Sequence, residues 1–172
     1  MVISLAAAIP TWLIESVLCK ETPIVRVIPN IPSLIGEGMN PYALGKYVTK
    51  EQTLFIGKIL SIFGKTIHLK EEQMNIATAL SAIGPTYFFP AIKAMKDFAL
   101  SKGMNEEEAV RIISQTISGT AELVKQSKKQ PDELKLMIGT RTIDEESVKE
   151  IFTKAVGEAL SKVNYATEKL TE

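Results

Sequence analysis

One cysteine, one histidine and one tryptophan in 172 residues remove several kinds of chemistry from consideration. A lone Cys19 cannot form an internal disulfide or a cysteine-built zinc site, and a reducing cytoplasm is the compartment that such usage suggests. A lone His68 speaks against a histidine-ligated metal or a histidine-based triad, so no metal is expected. Net charge is lacking too. Twenty Lys and Arg balance twenty Asp and Glu, which leaves no bulk field for nucleic acid or an anionic membrane. The longest apolar stretch, residues 1–14, is interrupted at Ser4, Pro10 and Thr11 and is too short for a bilayer. It lacks the basic start of a secretory signal and is expected to be buried in protein. No glycine-rich phosphate loop follows a strand, and there is no nucleophile elbow or metal-spaced carboxylate pair.

What is present is ordinary globular composition, 45% hydrophobic and 23% charged. Residues 2–8 form a continuous apolar run, which predicts a strand buried on both faces. A short helix over 11–18 and a strand over 24–28 follow, a strand–helix–strand unit of a parallel sheet. Pro29 and Pro32 end it, and residues 36–47 read as a loop or weak strand. Thr49 with Gln52 is a capping box for a helix carrying Leu54, Ile56, Ile59 and Phe63, stopped by Gly64. A third short strand spans 65–69. From residue 71 the pattern is helical, punctuated at Gly84-Pro85, Gly103, Pro131 and Gly139. Asn105 before three glutamates caps one helix, and a box from Thr142 to Glu145 opens the longest. The helices from 105 and 142 carry wide apolar stripes. The predicted class is mainly α (α+β overall), an α/β front over 1–70 and an all-helical back over 71–172.

Two segments carry candidate chemistry. Thr78 and Ser81 precede Gly84-Pro85, a corner whose following helix turns backbone N–H groups outward, suited to a carboxylate or phosphate. Gly139, Thr140, Arg141 and Thr142 place two hydroxyls and a guanidinium before a helix start. Spacing alone equally describes a tight helix–helix corner and a capped helix with an exposed arginine.

Taken together, the segments resemble pyrroline-5-carboxylate reductase. The run Thr78-Ala79-Leu80-Ser81-Ala82-Ile83-Gly84-Pro85-Thr86-Tyr87 is similar to that family's T-x-L-S-G-S-G-P-A-Y. Gln115-Thr116-Ile117-Ser118-Gly119-Thr120-Ala121 is similar to Q-T-x-x-G-x-A, and Pro131 to Leu134 to P-x-x-L. Upstream, Arg26-Val27-Ile28-Pro29-Asn30-Ile31-Pro32 resembles R-V-M-P-N-T-P, and residues 2–8 resemble the strand that ends in an A-A-G turn. The resemblance implies an all-helical dimerisation domain of the pyrroline-5-carboxylate reductase and 6-phosphogluconate dehydrogenase C-terminal type, preceded by a truncated Rossmann-like remnant. It implies NAD(P)H-dependent reduction of 1-pyrroline-5-carboxylate to L-proline, hydride passing to the carbon of a cyclic imine. In that frame Thr142 lies near the imine nitrogen. Thr78, Ser81, Gly84, Pro85, Gly139, Thr140 and Arg141 surround the substrate carboxylate, and Ala6, Ala7, Pro29 and Asn30 lie beside the nicotinamide. A homodimer through intertwined helices is the implied assembly, with a small carboxylate or imine as ligand and neither nucleic acid nor membrane as partner.

The departures carry expectations of their own. The glycine motif for the dinucleotide pyrophosphate is not in this sequence, so the chain alone is expected to bind NAD(P)H weakly. Ala82 and Ile83 stand where the family has Gly-Ser, and Ile83 offers no hydroxyl. The alternative to a weak or inactive reductase is a non-catalytic dimerisation module or a complementing subunit.

Overall fold

The computed structural model describes residues 1–18, 21–140 and 142–171, so the readings made on Cys19 and Arg141 fall outside it. The chain divides into two compact units, Met1–Pro85 with Ile151–Glu172, and Thr86–Glu150.

In the first unit, β1 (Val2–Ser4), β2 (Ile24–Val27), β3 (Gly38–Leu44) and β4 (Gly64–His68) form a sheet in the order β1-β2-β3-β4. The predicted strand–helix–strand unit is there: β1 runs parallel to β2 and α1 (Thr11–Val17) connects them. β2 is buried at all four positions, and its alternation sends successive side chains to opposite faces. Val25 and Val27 pack with Tyr42 against Ile56 and Leu60 of α2 (Lys50–Leu60). On the other face Ile28 and Ala43 meet Met74 of α3 (Met74–Ala77). The Thr49 capping box forms as read, with Thr49 Oγ1 accepting from the Gln52 amide at 3.2 Å and Gln52 Oε1 accepting from the Thr49 amide at 3.0 Å.

Three local readings change. β1 is short and half-exposed, Val2 at 38% and Ile3 at 41%, because it is an edge strand of this sheet. Residues 38–44, within the stretch read as a loop or weak strand, form a seven-residue, mostly buried strand between β2 and β4. Pro41 accepts from the Ile28 amide at 2.9 Å and has no N–H to return, which helps β2 to end there. The α2 helix stops before Phe63, and Gly64 opens β4 with φ +132 instead of capping a helix.

Beyond the sheet, a π-helical turn spans Thr78–Ala82 and closes with the Ile83 amide donating to the Thr78 carbonyl at 3.2 Å. The helix α4 (Pro85–Ser101) begins on the proline, at the position expected of it. Next come α5 (Glu106–Ser127), α6 (Pro131–Lys135) and α7 (Glu145–Thr171). Asn105 caps α5, accepting from the Glu108 amide at 2.8 Å. The cap of α7 is Asp144, not Thr142: its carboxylate accepts from the Glu146 amide at 3.2 Å and from the Ser147 hydroxyl at 2.6 Å. That hydroxyl holds the Asp144 carboxyl below the usual carboxylate range. An aspartate one residue before the helix competes better for the orphan amides than a threonine three residues away.

The helices keep much of their apolar surface open within the chain. No residue of α4 is buried, and Phe88, Phe89 and Phe98 are 48, 55 and 65% exposed. On α5 only Ala109 and Ile113 are buried. Among the described residues no helix is long and apolar enough to cross a membrane.

Candidate functional site

The ends of β1 and β2 and the turn after α2 enclose a cavity of about 540 Å³ in the first unit. Leu5, Val27, Pro29, Asn30, Leu60 and Phe63 are among the residues that line it, with Ile31 and Leu34. The walls are apolar because Pro29 stops β2, and the 3₁₀ turn Ile31–Ile35 then turns Ile31 and Leu34 outward. Two of the four residues read as cofactor neighbours, Pro29 and Asn30, line this space. Ala6 and Ala7 follow Leu5 in the turn leaving β1.

The polar groups at its rim are already engaged. Asn30 Oδ1 accepts from the Met39 amide at 2.9 Å, and Asn30 Nδ2 donates to the Ser81 carbonyl at 3.4 Å. Ser33 donates to Asn40 Oδ1 at 3.0 Å, and Asn40 passes a bond on to the Lys65 carbonyl at 3.3 Å. Among the described residues no lysine or arginine lines the cavity. A flat, uncharged ring fits such a place, whereas a diphosphate finds no cation there.

The residues read as the substrate corner begin at the π turn. Thr78 is 2% exposed and its hydroxyl donates to the Met74 carbonyl at 2.7 Å. Ser81 donates its hydroxyl to the Met39 carbonyl at 3.1 Å. Its own carbonyl, the acceptor that an amide at Pro85 would take in an α-helix, is left for Asn30 because proline has no N–H. Gly84 is buried, and a Cβ there would stand 2.2 Å from the Leu80 carbonyl oxygen. Only glycine fits that approach. One hydrogen bond, Asn30 to Ser81, thus joins a residue read as a cofactor neighbour to one read as a substrate neighbour.

Gly139, Thr140 and Thr142 are exposed, and they belong to the second unit, whereas Thr78, Ser81, Gly84 and Pro85 belong to the first. His68 stacks on Tyr42 with ring centroids 5.2 Å apart, an ordinary strand residue as expected. Among the described residues no group of three or more His, Cys, Asp or Glu could hold a metal.

Sequence reasoning missed a polar cluster around a buried arginine. Arg26, on β2, is 1% exposed, and its guanidinium is bonded to Glu71, to the Ala7 carbonyl and to Asn75. An arginine inside an otherwise apolar strand was the available signal, since such a charge must find a partner.

Residues 71–166 match the family described as pyrroline-5-carboxylate reductase dimerisation. Pyrroline-5-carboxylate reductase of Methanosarcina acetivorans is 33% identical over 165 residues, 91% of this chain and 61% of its own. That of Pseudomonas aeruginosa is 35% identical over 78% of this chain and 50% of its own. The chain therefore spans less than two thirds of these curated relatives. Among solved structures, Plasmodium falciparum pyrroline carboxylate reductase with NADP bound superposes with a TM-score of 0.86 at 30% identity, over 96% of this chain and 70% of that one. A family match over more than half the sequence, with a fold shared almost end to end, places this chain in the pyrroline-5-carboxylate reductase family.

Proposed function

We propose that this chain serves the NAD(P)H-dependent reduction of 1-pyrroline-5-carboxylate to L-proline. Residues 71–172 form its dimerisation and substrate part and residues 1–70 its α/β part. The bond from Asn30 to Ser81 carries the reading, because it ties the cavity fitted to a nicotinamide ring to the corner fitted to a carboxylate. The cofactor supplies hydride. Ala6, Ala7, Pro29 and Asn30 hold its nicotinamide end. Gly84 and Pro85, with Thr78, Ser81, Gly139, Thr140 and Arg141, place the carboxylate, and Thr142 polarises the imine nitrogen. The glycine motif for a pyrophosphate is not in this sequence, and among the described residues no lysine or arginine lines the cavity, so NAD(P)H binds weakly to this chain by itself.

Imine-dependent NADPH oxidation by the purified chain tests this. Thr142→Ala is expected to lower kcat roughly 10²–10³-fold, the loss typical of one donor at a reacting centre. Equal turnover in the variant removes Thr142 from the reaction. No turnover in the parent chain favours the second reading, a dimerisation module without its own chemistry.

That second reading rests on the open apolar surface of the helices. The chain forms a homodimer through intertwined helices. Light scattering at micromolar concentration is expected to give twice 18.9 kDa. Phe98→Asp, at a position 65% exposed in the single chain, shifts the mass toward monomer without unfolding it. A monodisperse monomer for the parent chain contradicts the assembly.

A further inference from the structure

Arg26 is the largest side chain withdrawn from solvent, on a strand whose other members are Ile24, Val25 and Val27. Its Nη1 donates to Oε1 of Glu71, and its Nη2 donates to the Ala7 carbonyl and to Asn75 Oδ1, the latter at 3.2 Å. Its buried Nε has no hydrogen-bond partner. The other oxygen of Glu71 accepts from the Thr11 hydroxyl at 2.9 Å and from the Thr11 amide at 3.3 Å. One carboxylate therefore holds the connection from β1 to α1 at its middle and at its far end, Ala7 by way of Arg26 and Thr11 directly. Within that connection the remaining bonds are long, Ala6 amide to Ser4 Oγ at 3.3 Å and Ile9 amide to the Ala6 carbonyl at 3.4 Å. Three successive alanines, residues 6–8, bring no polar or large side chain to the middle of it. Asn75 extends the cluster to α7, donating to Asn164 Oδ1 at 3.0 Å and to Thr167 Oγ1 at 3.3 Å.

We propose that Glu71 is a positioning residue for the turn at residues 6–9, acting through Arg26 and through Thr11 at the start of α1. The inference rests on the reading that Ala6 and Ala7 lie beside the nicotinamide. Under that reading, a carboxylate that never touches the cofactor sets one wall of its site. The charge of Glu71 matters as much as its shape, because charge-assisted bonds are about twice as strong as neutral ones. Glu71→Gln keeps the volume and an acceptor but leaves the guanidinium without its counter-charge.

Backbone amide exchange over residues 6–12 and an NADPH titration carried to millimolar concentration test the proposal on the full chain. In Glu71→Gln, exchange at these amides is expected to quicken at least tenfold while amides of β3 keep their rates, and the NADPH Kd rises at least tenfold. Unchanged exchange over 6–12, or equal quickening throughout the chain, overturns the proposal. So does an unaltered NADPH Kd in a variant whose turn has loosened. If the parent chain shows no saturable NADPH binding, the placing of the cofactor fails, and exchange alone decides whether Glu71 holds the turn. Should Glu71→Gln fail to fold, Asn75→Ala keeps the ion pair and removes one acceptor of Arg26 and the tie to α7. It is expected to quicken exchange over residues 6–12 about threefold, and no change there overturns the proposal.

Discussion

Glu71→Ala is expected to lower the unfolding free energy of the chain by about 3–5 kcal/mol, the cost of leaving a buried charge without its partner. Arg26 is 1% exposed, on a strand that lies between β1 and β3 with packed residues on both faces. Its remaining acceptors, the Ala7 carbonyl and Asn75 Oδ1, satisfy hydrogen bonds but supply no counter-charge. Glu71 is 18% exposed on its side chain, so water screens part of the pair and the lower end of the range is the better expectation. The double replacement Arg26→Met with Glu71→Leu removes both charges and is expected to recover most of the loss. Urea denaturation of the parent, the single variant and the double variant measures both effects. A single variant within 1 kcal/mol of the parent would show that Arg26 finds solvent, contrary to its position in the strand.

Much of the architecture could be read from the sequence wherever local signals and tertiary packing agree. The Thr49–Gln52 box, the Asn105 cap and Pro85 at the first position of α4 are determined by backbone groups within a few residues of each other, so sequence spacing reports them directly. Packing decides the others. Asn40-Pro41 has turn chemistry, yet Asn40 is fully buried and held by Ser33 and Lys65, and the flanking strands draw the segment into the sheet. The apolar run at residues 2–8 shows hydrophobicity but not how far neighbouring elements cover it, so the half-exposure of Val2 and Ile3 could not be read from it. For the site, the motif around Gly84-Pro85 marked a corner before a helix but not that glycine alone fits position 84. The π turn that creates the demand has no sequence signature of its own. The Arg26–Glu71 pair joins residues 45 positions apart, and pairings of that range follow only from the fold.

Gly64→Ala is expected to cost roughly 3 kcal/mol or more, combining a backbone region closed to L side chains with a collision against main chain. Gly64 has φ +132, and a Cβ there would lie 2.1 Å from the Gly38 carbonyl oxygen and 2.4 Å from the Gly38 nitrogen. Those atoms are the start of β3, paired in register with Gly64, so relief requires the β3–β4 pair to separate at its first rung. The damage reaches the cavity as well. The Phe63 carbonyl accepts from the Gly38 amide at 2.9 Å, and Phe63 lines the same cavity as Pro29 and Asn30. NADPH binding should therefore weaken along with stability. Gly57→Ala is the control: Gly57 lies inside α2, and a Cβ added there would have nothing within 4 Å. The extra methyl restricts the unfolded chain and favours the helix, for a gain of about 0.5–1 kcal/mol. Opposite shifts of the urea midpoint in the two variants, with matching m-values, would confirm that close approach at Gly64, and not glycine content as such, holds β4 against β3. Equal midpoints for parent and Gly64→Ala would mean that the first rung is free to open and that Phe63 is not fixed by it.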